Sequence, residues 1–154
     1  MTFRIQIKPA RNGWLPVAIQ VADKSFEFVG SDVMNDPVEQ LSSMLVSLLS
    51  GAPPSPAHFW GEEPTYSLLL TPSPDRSQVQ LQLVYDPLTQ LKGMVGELVA
   101  EAKVDFRAAC RELHDSLSAL SVSPAQEEHS VGWPHAFPVE QLRVAEGLLG
   151  QLRG

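Results

Sequence analysis

Cysteine is almost absent from this sequence. Cys110 is the one thiol in 154 residues, so no disulfide can close within the chain and nothing here is built for an oxidising compartment. Cationic side chains are also in short supply. Eleven Lys and Arg face 18 Asp and Glu, a formal net charge of -7. That balance disfavours nonspecific attraction to nucleic-acid phosphates or anionic membranes, and it suits a basic protein partner. Long apolar runs are missing as well. The most apolar helical stretch, Val38 to Leu49, is too short for a bilayer and is interrupted by serines, so no membrane span is expected. The opening residues alternate polar and apolar instead of forming the apolar core of a secretory signal, which makes the cytoplasm the expected compartment.

Several chemical signatures are lacking too. There is no Gly-x-Ser-x-Gly elbow for a serine nucleophile and no glycine-rich phosphate loop. The four histidines, His58, His114, His129 and His135, have no metal-ligand spacing. His129 and His135 with Glu127 and Glu128 are the one place where a metal could collect, and surface histidines in a connector are the commoner reading. Neither a cofactor nor a catalytic residue is therefore assigned. Cys110 falls on the apolar stripe of a predicted helix, where burial makes a thiol inert.

What is present is strong periodicity. Phe3, Ile5 and Ile7 alternate with polar residues, as do Leu15, Val17, Ile19 and Val21, and Phe26 and Phe28 follow a short turn. This predicts a three-stranded meander. Asp36, Pro37 and Glu39 then sign a helix start, and Val38, Leu41, Met44, Leu45, Leu48 and Leu49 share one face up to Gly51. Its other face carries Gln40, Ser42, Ser43, Ser47 and Ser50, which reads as a solvated surface or as a face packed against a partner.

After a proline-rich link near 52–57, extended segments are predicted at Phe59 and Trp60 and at Tyr66 to Leu70. The strand Val79 to Tyr85 should pair antiparallel with the latter. The stretch Leu88 to Lys103 suits helix or strand, with a strand favoured around Glu97 to Ala102. Asp105 caps a second helix with the stripe Phe106, Ala109, Cys110, Leu113, Leu117 and Leu120, leaving Arg107, Arg111, Glu112 and Asp115 toward water. Residues 121–133 read as a polar, irregular connector. Trp133 and Phe137 then plug the core or form a recognition edge, and Pro138 opens a last helix through Leu142, Ala145, Leu148, Leu149 and Leu152. The expected fold is a single α+β domain over residues 1–154: a mainly antiparallel sheet of about six strands packed against about three helices.

For function, the residues singled out are Trp60, Glu62 and Glu63, aromatic and acidic side chains placed together as at protein interfaces. Adjacent glutamates in an extended chain point to opposite faces, which makes Glu62 and Glu63 poor joint catalysts. The order Asp36-Pro37, Leu-rich helix, Gly51, then His58-Phe59-Trp60-Gly61-Glu62-Glu63-Pro64, with Trp133 and Phe137-Pro138-Val139-Glu140-Gln141-Leu142 later, resembles small bacterial proteins of uncharacterised families. Some of these are grouped with immunity proteins of polymorphic toxin systems. The resemblance implies a cytoplasmic inhibitor that binds and blocks a toxin domain. The alternatives are an enzyme whose pocket gathers His58 and Glu62 or the His129 and His135 region, and a structural subunit that forms homo-oligomers.

Overall fold

A computed structural model describes residues 2–33, 35–61, 65–86, 96–122 and 124–152. Among them the chain runs β1 (Phe3–Ile7), β2 (Trp14–Val21), β3 (Lys24–Ser31), α1 (Pro37–Ser50), β4 (Ala57–Phe59), β5 (Thr65–Pro72), β6 (Gln78–Asp86), β7 (Glu97–Asp105), α2 (Phe106–Leu120), α3 (Ala125–Gly132) and α4 (Val139–Gln151). The α+β expectation holds, with the strands divided between two antiparallel sheets, β1-β2-β3 and β4-β5-β6-β7.

Alternation fixes the register of both sheets. Ile5 pairs with Ile19 and Ile19 with Phe26, so the apolar residues of the meander share one face. Leu68 pairs with Leu83 in the same way, and Leu70 with Leu81. Pro16 can occupy the middle strand because the β1 pairing ends at Ile7 and Val17, one residue before it. The Pro16 carbonyl still accepts from Lys8 N at 3.0 Å. The strand expected around Glu97 is the first part of β7, with a register shift opposite Leu83 and Val84. The earlier part of that ambiguous stretch, before Gly96, lies outside the described residues.

One continuous buried cluster runs from Phe3 and Ile19 through Leu45 and Phe59 to Leu83 and Leu113, so a single core serves both sheets and the helices. The sheets are clasped by aromatic rings. Phe28 stacks on Tyr66 at 4.4 Å and meets Phe59 edge-on at 5.1 Å, contacts each contributing about 0.5–1.5 kcal/mol beyond area burial. Helix α2 covers the edge of β1: Ile5 N donates to Glu112 Oε2 at 2.9 Å, and the Ile5 carbonyl accepts from Ser116 Oγ. Glu112 is thus half-buried and committed to a strand edge, not turned to water.

Two other expectations change. Only Glu39 and Ser50 of α1 are exposed, and the serine face is covered by the chain itself. Ser42 is buried with its Oγ bonded to the Val38 carbonyl, and Ser43 meets Gln141 of α4. Small side chains there let α4 lie close, so that Gln40, Ser43 and Ser47 are half-buried and Ser50 alone of that face is exposed. The segment read as an irregular connector contains helix α3, which the sequence conceals because His129 is its one buried residue among those described.

Candidate functional site

The site is built on the β1–β2 turn. Asn12 and Gly13 both lie in the left-handed region, at φ 51 and φ 81, the two-residue turn that matches strand twist. Arg11 and Trp14 exchange N–H···O bonds of 2.9 Å across it. The turn then becomes an anchor. Gly13 N donates to the Gly132 carbonyl at 2.8 Å, and the Gly13 carbonyl accepts from Asp32 N at 3.1 Å. Asp32 in turn accepts at its carbonyl from His135 Nε2 at 2.9 Å, and next to it Ser31 N donates to the Trp60 carbonyl at 2.7 Å.

A second set of bonds fixes Trp60 from the α1 side. Gln40 Oε1 accepts from His58 N at 2.8 Å, while Asn35 Nδ2 donates to that same Gln40 oxygen at 2.7 Å and to the His58 carbonyl at 2.8 Å. β4 is therefore clamped two residues before Trp60. Asp36 Oδ1 caps α1 by accepting from Val38 N at 3.1 Å and also accepts from Trp133 Nε1 at 3.2 Å. Trp133 is buried, as expected of a ring that plugs the core.

These segments, interlocked round Asp36, carry an unusual surface. Val33 is 80% exposed, Val131 90% and Val139 53%, large apolar side chains left in water, and the Gly13 bonds to Asp32 N and to the Gly132 carbonyl bring the segments of Val33 and Val131 together. Asp32, Asp36, Glu39 and Glu140 belong to the same segments, and Arg143, one turn along α4, is paired with Glu140 at 2.6 Å. Trp60 is half-buried at the edge of this group. Glu62 and Glu63 lie outside the described residues. Sequence reasoning missed Val33, Val131 and Val139, since an isolated valine in a polar stretch carries no periodic signal.

The histidines do not converge. His58 Nδ1 lies 2.7 Å from Ser67 Oγ across the β4–β5 pair, a base and a hydroxyl in contact, with no carboxylate bonded to His58 among the described residues. His129 is enclosed, its Nδ1 accepting from Ala10 N at 3.0 Å, and its ring lies 5.9 Å from that of Trp133. Burial holds the His129 pKa below 6.5, and the nearby Asp36 carboxylate offsets only part of that. Among the described residues no three of His, Cys, Asp and Glu are grouped as metal ligands, and no helix is long and apolar enough to cross a membrane. A cavity of about 290 Å³ opens elsewhere, lined by Lys8, Pro16, Ala18, Glu27 and Val29 among others.

No protein-family model matches the chain, and no curated protein matches it. Among solved structures, it is similar to a chain of the CdiA-CT/CdiI toxin and immunity complex from Enterobacter cloacae. The two are 17% identical, with a TM-score of 0.48, over 76% of this chain and 99% of that one.

Proposed function

We propose that this protein is a non-enzymatic binding module of the immunity type, which inhibits a basic toxin domain in the cytoplasm by docking on it through the face round Asp36. The observation that carries the reading is the exposure of Val33, Val131 and Val139 on segments that also bear Asp32, Glu39 and Glu140. Apolar side chains bordered by mainly acidic groups, with Arg11 and Arg143 each paired to a glutamate of the same segments, form the pattern of a protein interface. The apolar centre excludes water, and the acidic rim steers a cationic partner. Trp60, its backbone held by Ser31 and by the clamp on His58, is the aromatic anchor at the rim. Glu62 and Glu63, next in the chain, add two acidic groups to the same proposal.

The test is a binding and protection assay against the C-terminal domain of a secreted protein encoded beside this gene. Val33→Lys and Val131→Lys each place a cation where a cationic partner must dock. Each should weaken binding by at least about tenfold, with thermal stability unchanged and with affinity falling as salt rises. Variants that bind and protect like the parent would remove the reading. A dimer that forms with concentration and is broken by the same substitutions would show that the face serves a second copy instead.

A further inference from the structure

Helix α3 is held in place in an unusual manner. It has eight residues, no side-chain cap at its start, and His129 as its buried residue. A helix that short does not persist in water without tertiary support, and here the one buried side chain that provides it is the His129 ring, packed 5.9 Å from Trp133 and 6.5 Å from Phe137. The Arg11–Glu128 ion pair spans 3.2 Å, but its side chains are 78% and 49% exposed, so solvent screens it to little value. Two less exposed hydrogen bonds tie it to the β1–β2 turn: the Gly13 N bond to the Gly132 carbonyl, and the Ala10 N bond to His129 Nδ1.

The second contact exists in one protonation state alone. An imidazole nitrogen accepts a hydrogen bond with its lone pair, and a proton on Nδ1 occupies that lone pair. Imidazolium would set an N–H against the N–H of Ala10 inside a site where His129 is 3% exposed and Nε2 has no partner among the described residues. The charged groups around the ring are Glu127 and Glu128 on α3, Arg11 on the β1–β2 turn and Asp36 at the start of α1, with His135 across Trp133. The buried face of α2 presents no charged side chain, and its Cys110 thiol is neutral.

We propose that His129 is an acid-release latch: the neutral ring holds α3, and Val131 with it, on the β1–β2 turn, and a proton taken up at Nδ1 frees the helix while the rest of the fold stays formed. The latch is a property of the isolated protein. Its consequence, loss of partner binding in acid, rests on the docking role proposed above. The sign follows from linkage. A histidine held below its unfolded value stabilises the docked state fully above that value, and the contribution is lost as pH falls from the unfolded value through the folded one.

Amide hydrogen exchange of the full chain, followed by NMR from about pH 8 to about pH 5 across the ordinary histidine range, reads the latch directly. With intrinsic rates corrected, protection of Ala10 and of the α3 amides should drop by up to about tenfold per pH unit as pH falls from about 6.5 toward the lower folded value, while Leu45 and Leu113 keep theirs. His129→Asn retains an acceptor near the place of Nδ1 and takes up no proton, so it should flatten the dependence. Flat protection at Ala10 in the parent protein, or an unchanged slope in His129→Asn, overturns the latch. Should that variant fail to fold, the contrast between α3 and core amides in the parent decides alone. Undiminished toxin binding by a protein whose α3 has come free leaves the latch standing and removes Val131 from the proposed face.

Discussion

Trp133 Nε1 donates to Asp36 Oδ1 at 3.2 Å across 97 residues of chain, and that oxygen also accepts the amide of Val38 at 3.1 Å. One carboxylate oxygen therefore caps the central helix and fastens the connector that follows α3. Asp36→Ala should cost about 1–2 kcal/mol as a lost N-cap alone, and leaving the buried indole N–H unpartnered adds to that. A double-mutant cycle with Trp133→Phe, followed by urea unfolding, should give a coupling of about 0.5–1.5 kcal/mol. Additive single effects would show that the two sites do not cooperate.

Gly132 marks where backbone meets backbone. A Cβ there would overlap the carbonyl of Ala10, and moving either chain aside would break the bond from Gly13 N to the Gly132 carbonyl at 2.8 Å. Gly132→Ala should destabilise the protein by about 2–3 kcal/mol, the scale of overpacking at a fixed site. Gly147→Ala, with open space around it and a helical backbone, should gain up to about 1 kcal/mol. Equal melting temperatures for the two variants would mean that the close approach is not maintained in solution.

Those two segments also show what the sequence could and could not reveal. Asp36, Pro37 and Gly51 announce α1 because capping chemistry is local, and strict alternation announces β1, β2, β5 and β6. Helix α3 was not legible, because its attachment depends on one buried histidine and one glycine that meet residues far away in the chain. Alternation also gives the buried face of each strand but not its sheet, so the division into β1-β2-β3 and β4-β5-β6-β7 waited on tertiary structure. At the candidate site Trp60 stood out as an aromatic beside carboxylates. Val33 and Val131 did not, since exposure is set by neighbours distant in sequence.

Helix α1 has no basic residue in its last turn, yet its C-terminal carbonyls are not left bare. Arg76, from the β5–β6 turn, donates through Nη2 to the Leu48 carbonyl at 2.7 Å and to the Leu49 carbonyl at 3.0 Å, with its guanidinium 5.1 Å over the Phe106 ring. A cation at that end answers both the orphan carbonyls and the helix dipole. Arg76→Ala should lower stability by about 1.5–3 kcal/mol, the range for hydrogen bonds to a charged group. Arg76→Lys should recover only part, because an ammonium lacks the planar fork that lies over a ring. Full recovery by lysine in chemical denaturation would reduce the role of Arg76 to charge alone.

Cys110 gives the clearest pH prediction. It is buried on the inward face of α2, and burial pushes its thiol from 9.0 up to about 12, with the Arg76 charge opposing and Asp105 adding to the rise. The thiolate is the reactive species, so a thiol reagent should label the native protein no faster than the protein opens. Above 9.0 the unfolded chain sheds this proton while the folded chain keeps it up to about 12. The folded state then holds more protons, and stability must fall as pH rises through that window. Cys110→Ala deletes this contribution, so its unfolding free energy should decline less steeply than the parent's above about pH 9. Parallel declines, or prompt labelling of the native thiol at neutral pH, would place Cys110 in contact with solvent.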